Sequence, residues 1–60
     1  MKEYEIRIFK PDGTPSLIIA EIHLKDSSAI GSARRMARDK PAEVWRGVDC
    51  IWRNINSSQA

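Results

Sequence analysis

The segment SSAIGSARRMARDK, Ser27 to Lys40, is the one place in this chain where apolar residues recur at helical spacing. At about 100° per residue, Ala29, Ile30, Ala33, Met36 and Ala37 share an arc roughly 120° wide. Ser32, Arg34, Arg35, Arg38 and Asp39 take the opposite side. Asp26, Ser27 and Ser28 offer three N-caps. Pro41 ends the helix near Asp39, because the residue before a proline avoids the α region. Arg38 and Lys40 in the last turn suit the negative end of the helix dipole. Gly31 is the odd member. It costs about 1 kcal/mol against alanine in a helix interior, and it faces outward among the arginines, where packing on a sheet does not account for it.

Before the helix the chain reads as a hairpin. Glu3 to Lys10 alternates, with Tyr4, Ile6 and Ile8 on one face and Glu5, Arg7 and Phe9 on the other, the pattern of a half-buried strand. Pro11-Asp12-Gly13-Thr14 is a strong turn signal, since proline presets φ and glycine accepts the left-handed conformation. With Pro11 to Gly13 as a three-residue loop closed by Lys10 and Thr14, Ile8 faces Ser16, Ile6 faces Ile18 and Tyr4 faces Ala20. That register puts Ile18, Ala20, Ile22 and Leu24 on the core face, and a slip of one would invert the whole set.

After Pro41 the pattern is extended again. Ala42 to Trp45, Arg46-Gly47, and Val48 to Arg53 form a second hairpin turning at the glycine. If Gly47 ends a three-residue loop, Val44 faces Val48, and Ala42, Val44, Val48, Cys50 and Trp52 share a face. The competing register is a two-residue turn at Arg46-Gly47, which pairs Trp45 with Val48.

The order β-β-α-β-β and a right-handed crossover place the third strand beside the first. The expected fold is α+β, a four-stranded antiparallel sheet in the order 2-1-3-4 with one helix packed on one face. Residues 1–54 form this single domain and residues 55–60 a frayed polar tail. The expected core is Ile6, Ile8, Ile18, Ala20, Ile22, Ile30, Ala33, Met36, Ala37, Val44, Val48 and Cys50.

This arrangement resembles a group of short uncharacterised bacterial proteins that run strand, DG turn, strand, acid-capped Ala/Arg helix, then an E-V-W-x-G hairpin. The matching residues are Asp12-Gly13, Asp26 ahead of the Ala29 to Arg38 helix, and Glu43-Val44-Trp45-Arg46-Gly47. Those motifs are structural punctuation, so the resemblance implies the fold and no activity. Where the group carries an acid after the tryptophan, this chain has Arg46, one more positive charge.

Sixty residues bury only about 60% of the surface the unfolded chain exposes, so stability is marginal without help. Cys50 is the only cysteine and His23 the only histidine, which excludes an internal disulfide and offers no structural zinc site. Association, with a second copy or another protein, is the remaining aid. A free cysteine and an N-terminus without a signal-peptide core point to the cytoplasm. The longest apolar run, Leu17 to Ala20, is far too short to span a bilayer. No Gly-rich phosphate loop, paired-carboxylate helix or metal-ligand spacing exists, so no cofactor is expected.

Three groups of residues are candidates for function. Catalysis has only His23, with Glu21 two residues before it on the sheet face away from the helix. The bland alternative is a solvent-facing strand histidine, and the expectation is that the protein is not an enzyme. The basic side of the helix, Arg34, Arg35, Arg38 and Lys40, lies in a window where five basic residues oppose two acids. It is a candidate anion or nucleic-acid site, against the plain alternative of a solvated helix face. Phe9, Leu17, Ile19 and Ile51 fall on the sheet face away from the helix, with Trp45 near them at the hairpin tip. Four large apolar side chains exceed what an open sheet face requires. The favoured function is therefore a small interaction module, self-associating or partner-binding through that face or through the edge of strand 2 or 4.

Overall fold

Five elements follow one another in the computed structural model, which describes residues 1–55. They are β1 (Lys2–Phe9), β2 (Pro15–His23), α1 (Asp26–Ala37), β3 (Ala42–Arg46) and β4 (Asp49–Asn54). The strands are antiparallel in the order β2-β1-β3-β4, and α1 lies against β1, β2 and β3 on one face. This is the α+β architecture that the alternation and the helical arc predict. From residue 56 on, the expected polar tail lies outside the described residues.

The helix begins at Asp26 with extended Lys25 (φ −142°, ψ 162°) as N-cap and no side-chain capping bond. Asp26 sits in the first turn, where a carboxylate suits the positive end of the dipole. The helix stops at Ala37, sooner than Pro41 requires. There Arg38 takes φ 57° and ψ −110° and the Lys40 N–H donates to the Ala37 carbonyl at 2.9 Å. Those angles belong to the first central position of a type II′ turn. Arg38 and Lys40 therefore lie beyond the helix, not in its last turn.

Ala29, Ala33 and Ala37 form the buried stripe of α1, and their small side chains bring the helix close to the sheet. Tyr4, Ile6 and Ile8 of β1 and Ala42 and Val44 of β3 complete the core. Val44 stands across from Ile6 and Ala42 across from Ile8. Ile19, Ile30, Met36, Ile51 and Trp52 pack around this centre.

The first turn closes as expected. Lys10 N–H donates to Thr14 at 2.8 Å, Gly13 N–H donates to Lys10 at 2.8 Å, and Gly13 has φ 92°. One step later the pairing departs from expectation. Phe9 pairs with Pro15 and Ile8 with Leu17, which leaves Ser16 as an extra, bulged residue. Pro15 has no N–H to give, and the N–H of Phe9 opposite it goes to Pro41 at 2.9 Å. Past the bulge every β2 side chain is inverted. Leu17, Ile19, Glu21 and His23 turn to the helix side, while Ile18, Ala20 and Ile22 turn away. Ile18 and Ile22 are thus exposed, not core residues.

The second hairpin also takes a register of its own. Arg46 pairs with Asp49, so the turn is Gly47-Val48. Gly47 has φ 63° and is followed by a residue of ordinary φ, which is the II′ pattern with glycine first. Neither a three-residue loop ending at Gly47 nor an Arg46-Gly47 turn forms. A second bulge pairs Val44 with Trp52 and Trp45 with Cys50. Ile51 is the extra residue and packs against the core, while Cys50 is exposed beside Trp45 and Val48 lies in the turn, 89% exposed.

Candidate interaction surface

On the sheet face away from α1, the middle is occupied by charge. Arg7 of β1, Glu43 of β3 and Arg53 of β4 are successive cross-strand partners. Arg7 Nε donates to Glu5 at 2.8 Å, and Arg53 Nε lies 3.1 Å from the other side of the row's carboxylate, Glu43. Trp45 donates its indole N–H to Glu43 at 2.8 Å, and the Arg7 guanidinium lies 4.7 Å from the Trp45 ring centre. A cation over an indole face is attractive and shields the ring from a partner. Trp45 is consequently half-buried by its own neighbours.

The apolar part of this face lies at its margin. Ile18, Ala20 and Ile22 stand on β2, the outermost strand, with Ile18 51% and Ile22 64% exposed. Just past the strand, Leu24 is 66% exposed, and on the helix side Leu17 is 44% exposed. One side of β2 pairs with β1, and among the described residues no strand lies beside the other. Unpaired edges of this kind are commonly blunted by charged side chains, proline or a bulge. β2 has Pro15 and the Ser16 bulge at its start and Glu21 turned to the helix side, while its other face, Ile18, Ala20 and Ile22, carries no charge. The opposite edge, β4, carries Asp49, Arg53 and the bulge at Ile51.

Between β2 and α1 lies a set of polar bonds. Glu21 Oε1 accepts from Ser32 Oγ at 2.8 Å and from His23 Nε2 at 2.7 Å. These bonds, His23 first, hold the Glu21 carboxyl below its ordinary value, with Arg35 adding a favourable charge. The His23 ring meets Tyr4 edge-on, 5.9 Å between centres. Tyr4 Oη donates to Asp26 Oδ1 at 2.5 Å, and Arg46 Nη1 donates to Asp26 Oδ2 at 2.5 Å. The phenol is raised and the carboxyl lowered by that shared bond above all. Strand, helix and second hairpin are fastened together here.

The residues singled out for contact separate in space. Ile19 and Ile51 pack on the core, Leu17 is on the helix side, and Trp45 is under Arg7. Phe9 lines an open cleft of about 700 Å³ with Pro11, Pro41, Ala42, Arg53 and Ile55. Ile18 and Ile22 occupy the exposed positions instead, and the bulge that exchanges the two sets has no distinct sequence signal. His23 and Glu21 do pair, yet they face the helix, and Ser32 gives its proton to Glu21 and not to the imidazole. Arg34, Arg35, Arg38 and Lys40 are exposed, though only the first two lie on the helix. Among the described residues no cluster of three metal-binding side chains occurs, and no helix is long and apolar enough to cross a membrane. No family model matches this chain, and no significantly similar curated protein or solved structure was found.

Proposed function

We propose that the protein is a non-enzymatic interaction module whose contact element is β2, engaged by the addition of an extended strand to its free edge. The observation that carries this is the pair Ile18 and Ile22, exposed on an edge strand whose face away from α1 carries no charge from Ile18 to Ile22. Strand addition supplies main-chain hydrogen bonds to the open edge and covers alternate side chains on one face. Full burial of an isoleucine is worth about 1.5–3 kcal/mol, so covering two half-exposed ones is a sizeable gain for a domain this small. The eight-residue core includes four alanines and adds to that need.

The basic side of the helix is the weaker alternative. Arg35 lies near Gly31 and close enough to Glu21 to favour its charge, and Arg38 and Lys40 lie outside α1. Four guanidinium and ammonium groups on one helical face would have suited phosphates better.

The reading is tested by titrating a nine-residue peptide of alternating Val and Thr into isotopically labelled protein. Amide shifts should be confined to β2 and its neighbours and should vanish in the Ile18→Lys, Ile22→Lys double variant. Shifts centred on Arg34 or on the Phe9 cleft, or shifts that the double variant leaves unchanged, would refute it.

A further inference from the structure

We infer that the strand added to β2 is β2 of a second copy of this chain, antiparallel, with the two-fold axis passing through Ala20 perpendicular to the sheet. This rests on the proposed role of β2 as the contact element and names its partner. A perpendicular two-fold keeps each side chain on its own face and pairs a single patch with itself. With Ala20 at the centre, Ile18 of each copy stands across from Ile22 of the other. On the helix side Leu17 meets His23 and Ile19 meets Glu21, so no like charges oppose each other.

Neighbouring registers fail on the same residues. Centring on Ile19 leaves Ile22 against Ser16. Centring on Glu21 sets two carboxylates face to face, which is unfavourable for a directly opposed pair. Centring on Ile22 runs past His23, where β2 ends. Only the Ala20 register covers both exposed isoleucines and uses the strand from Leu17 to His23.

The product is a continuous eight-stranded antiparallel sheet with both helices on one side, a size that open sheets tolerate. Each end is β4, whose Asp49, Arg53 and bulge discourage further pairing. Assembly therefore stops at two copies. The bulge at Ser16 also acquires a purpose. It turns Ile18 and Ile22 outward at a loss to the single chain, and the second copy restores what was lost.

The full chain is examined by sedimentation from micromolar to millimolar concentration, beside Ile18→Lys and Ile22→Lys. Both isoleucines are exposed in the single chain, so the variants should keep its circular dichroism while weakening the dimer at least tenfold. In a Cys50→Ser background, Ala20→Cys should cross-link to itself on oxidation. Ile18→Cys and Ile22→Cys should each remain uncrosslinked alone and join when mixed. A wild-type chain monomeric throughout overturns the second-copy inference and leaves the strand-addition reading to the peptide titration. A dimer that survives Ile22→Lys is held by another surface and overturns the second-copy inference, again leaving the strand-addition reading to the peptide titration. Self-crosslinking of Ile18→Cys, with none at Ala20→Cys, overturns the register.

Discussion

Ile6 of β1 stands across from Ile19 of β2, one residue beyond the partner that unbroken pairing from the turn would give it. The difference is Ser16, and it decides which isoleucines support the core. Ile19→Ala should destabilise the protein by about 2 kcal/mol, toward the low end for an isoleucine because the site is only partly buried. Ile18→Ala should stay within about 0.5 kcal/mol in dilute solution, as for an exposed site. Urea unfolding at low protein concentration measures both, and the reverse order would mean that the bulge is absent.

That inversion marks how far the sequence was legible. β1 alternates cleanly, the helix has one apolar arc, and Pro11-Asp12-Gly13 can only be a turn, so the fold class and strand order follow from local pattern. β2 reads LIIAEIH, apolar at both parities. Counting apolar residues favours Ile18, Ala20 and Ile22 inward. The inward set is instead accompanied by contacts between distant parts of the chain, Glu21 with Ser32 and His23 with Tyr4. Gly47 was visible as a turn residue, but its place within the turn depended on the II′ preference for glycine at the first central position. The candidate surface moved by one residue because the register did.

Arg38 has a positive φ, 57°, in a conformation that glycine adopts without strain. It stands at the first central position of the turn closed by the Lys40 N–H on the Ala37 carbonyl. Arg38→Gly should raise stability by about 1 kcal/mol, the lower end of the range for strained backbone positions, partly offset by the greater freedom of glycine in the unfolded chain. Thermal unfolding compared with Arg38→Ala separates relief of strain from loss of charge. Equal effects of the two variants would exclude strain as the cause.

Gly31 lies within α1, and a methyl group there would meet only the Arg35 guanidinium, at 3.6 Å, an ordinary contact. Nothing in the packing requires glycine at this position. Gly31→Ala should therefore stabilise the fold by up to about 1 kcal/mol through helix propensity. A loss of stability in chemical denaturation would show that the flexible Arg35 head cannot yield.

Tyr4 is the only tyrosine, so phenolate absorbance reports on one bond, that from its hydroxyl to Asp26. The carboxylate acceptor raises the phenol above its ordinary value of 10.0. Stability from this group is complete below pH 10 and is lost as the pH rises through the raised folded value. Asp26 is lowered by accepting from Tyr4 and Arg46, and Glu21 by accepting from His23 and Ser32. Their contributions are complete above the ordinary carboxylate range near 4 and are lost as pH falls through the lowered values. Asp26→Asn keeps the shape and removes the charge. It should bring the phenolate midpoint down toward 10, lower the unfolding temperature at neutral pH, and shrink the acid limb while leaving the Glu21 share. An unchanged phenolate midpoint would mean that Tyr4 and Asp26 are not bonded in solution, and the fastening of β1 to the start of α1 would have to be sought elsewhere.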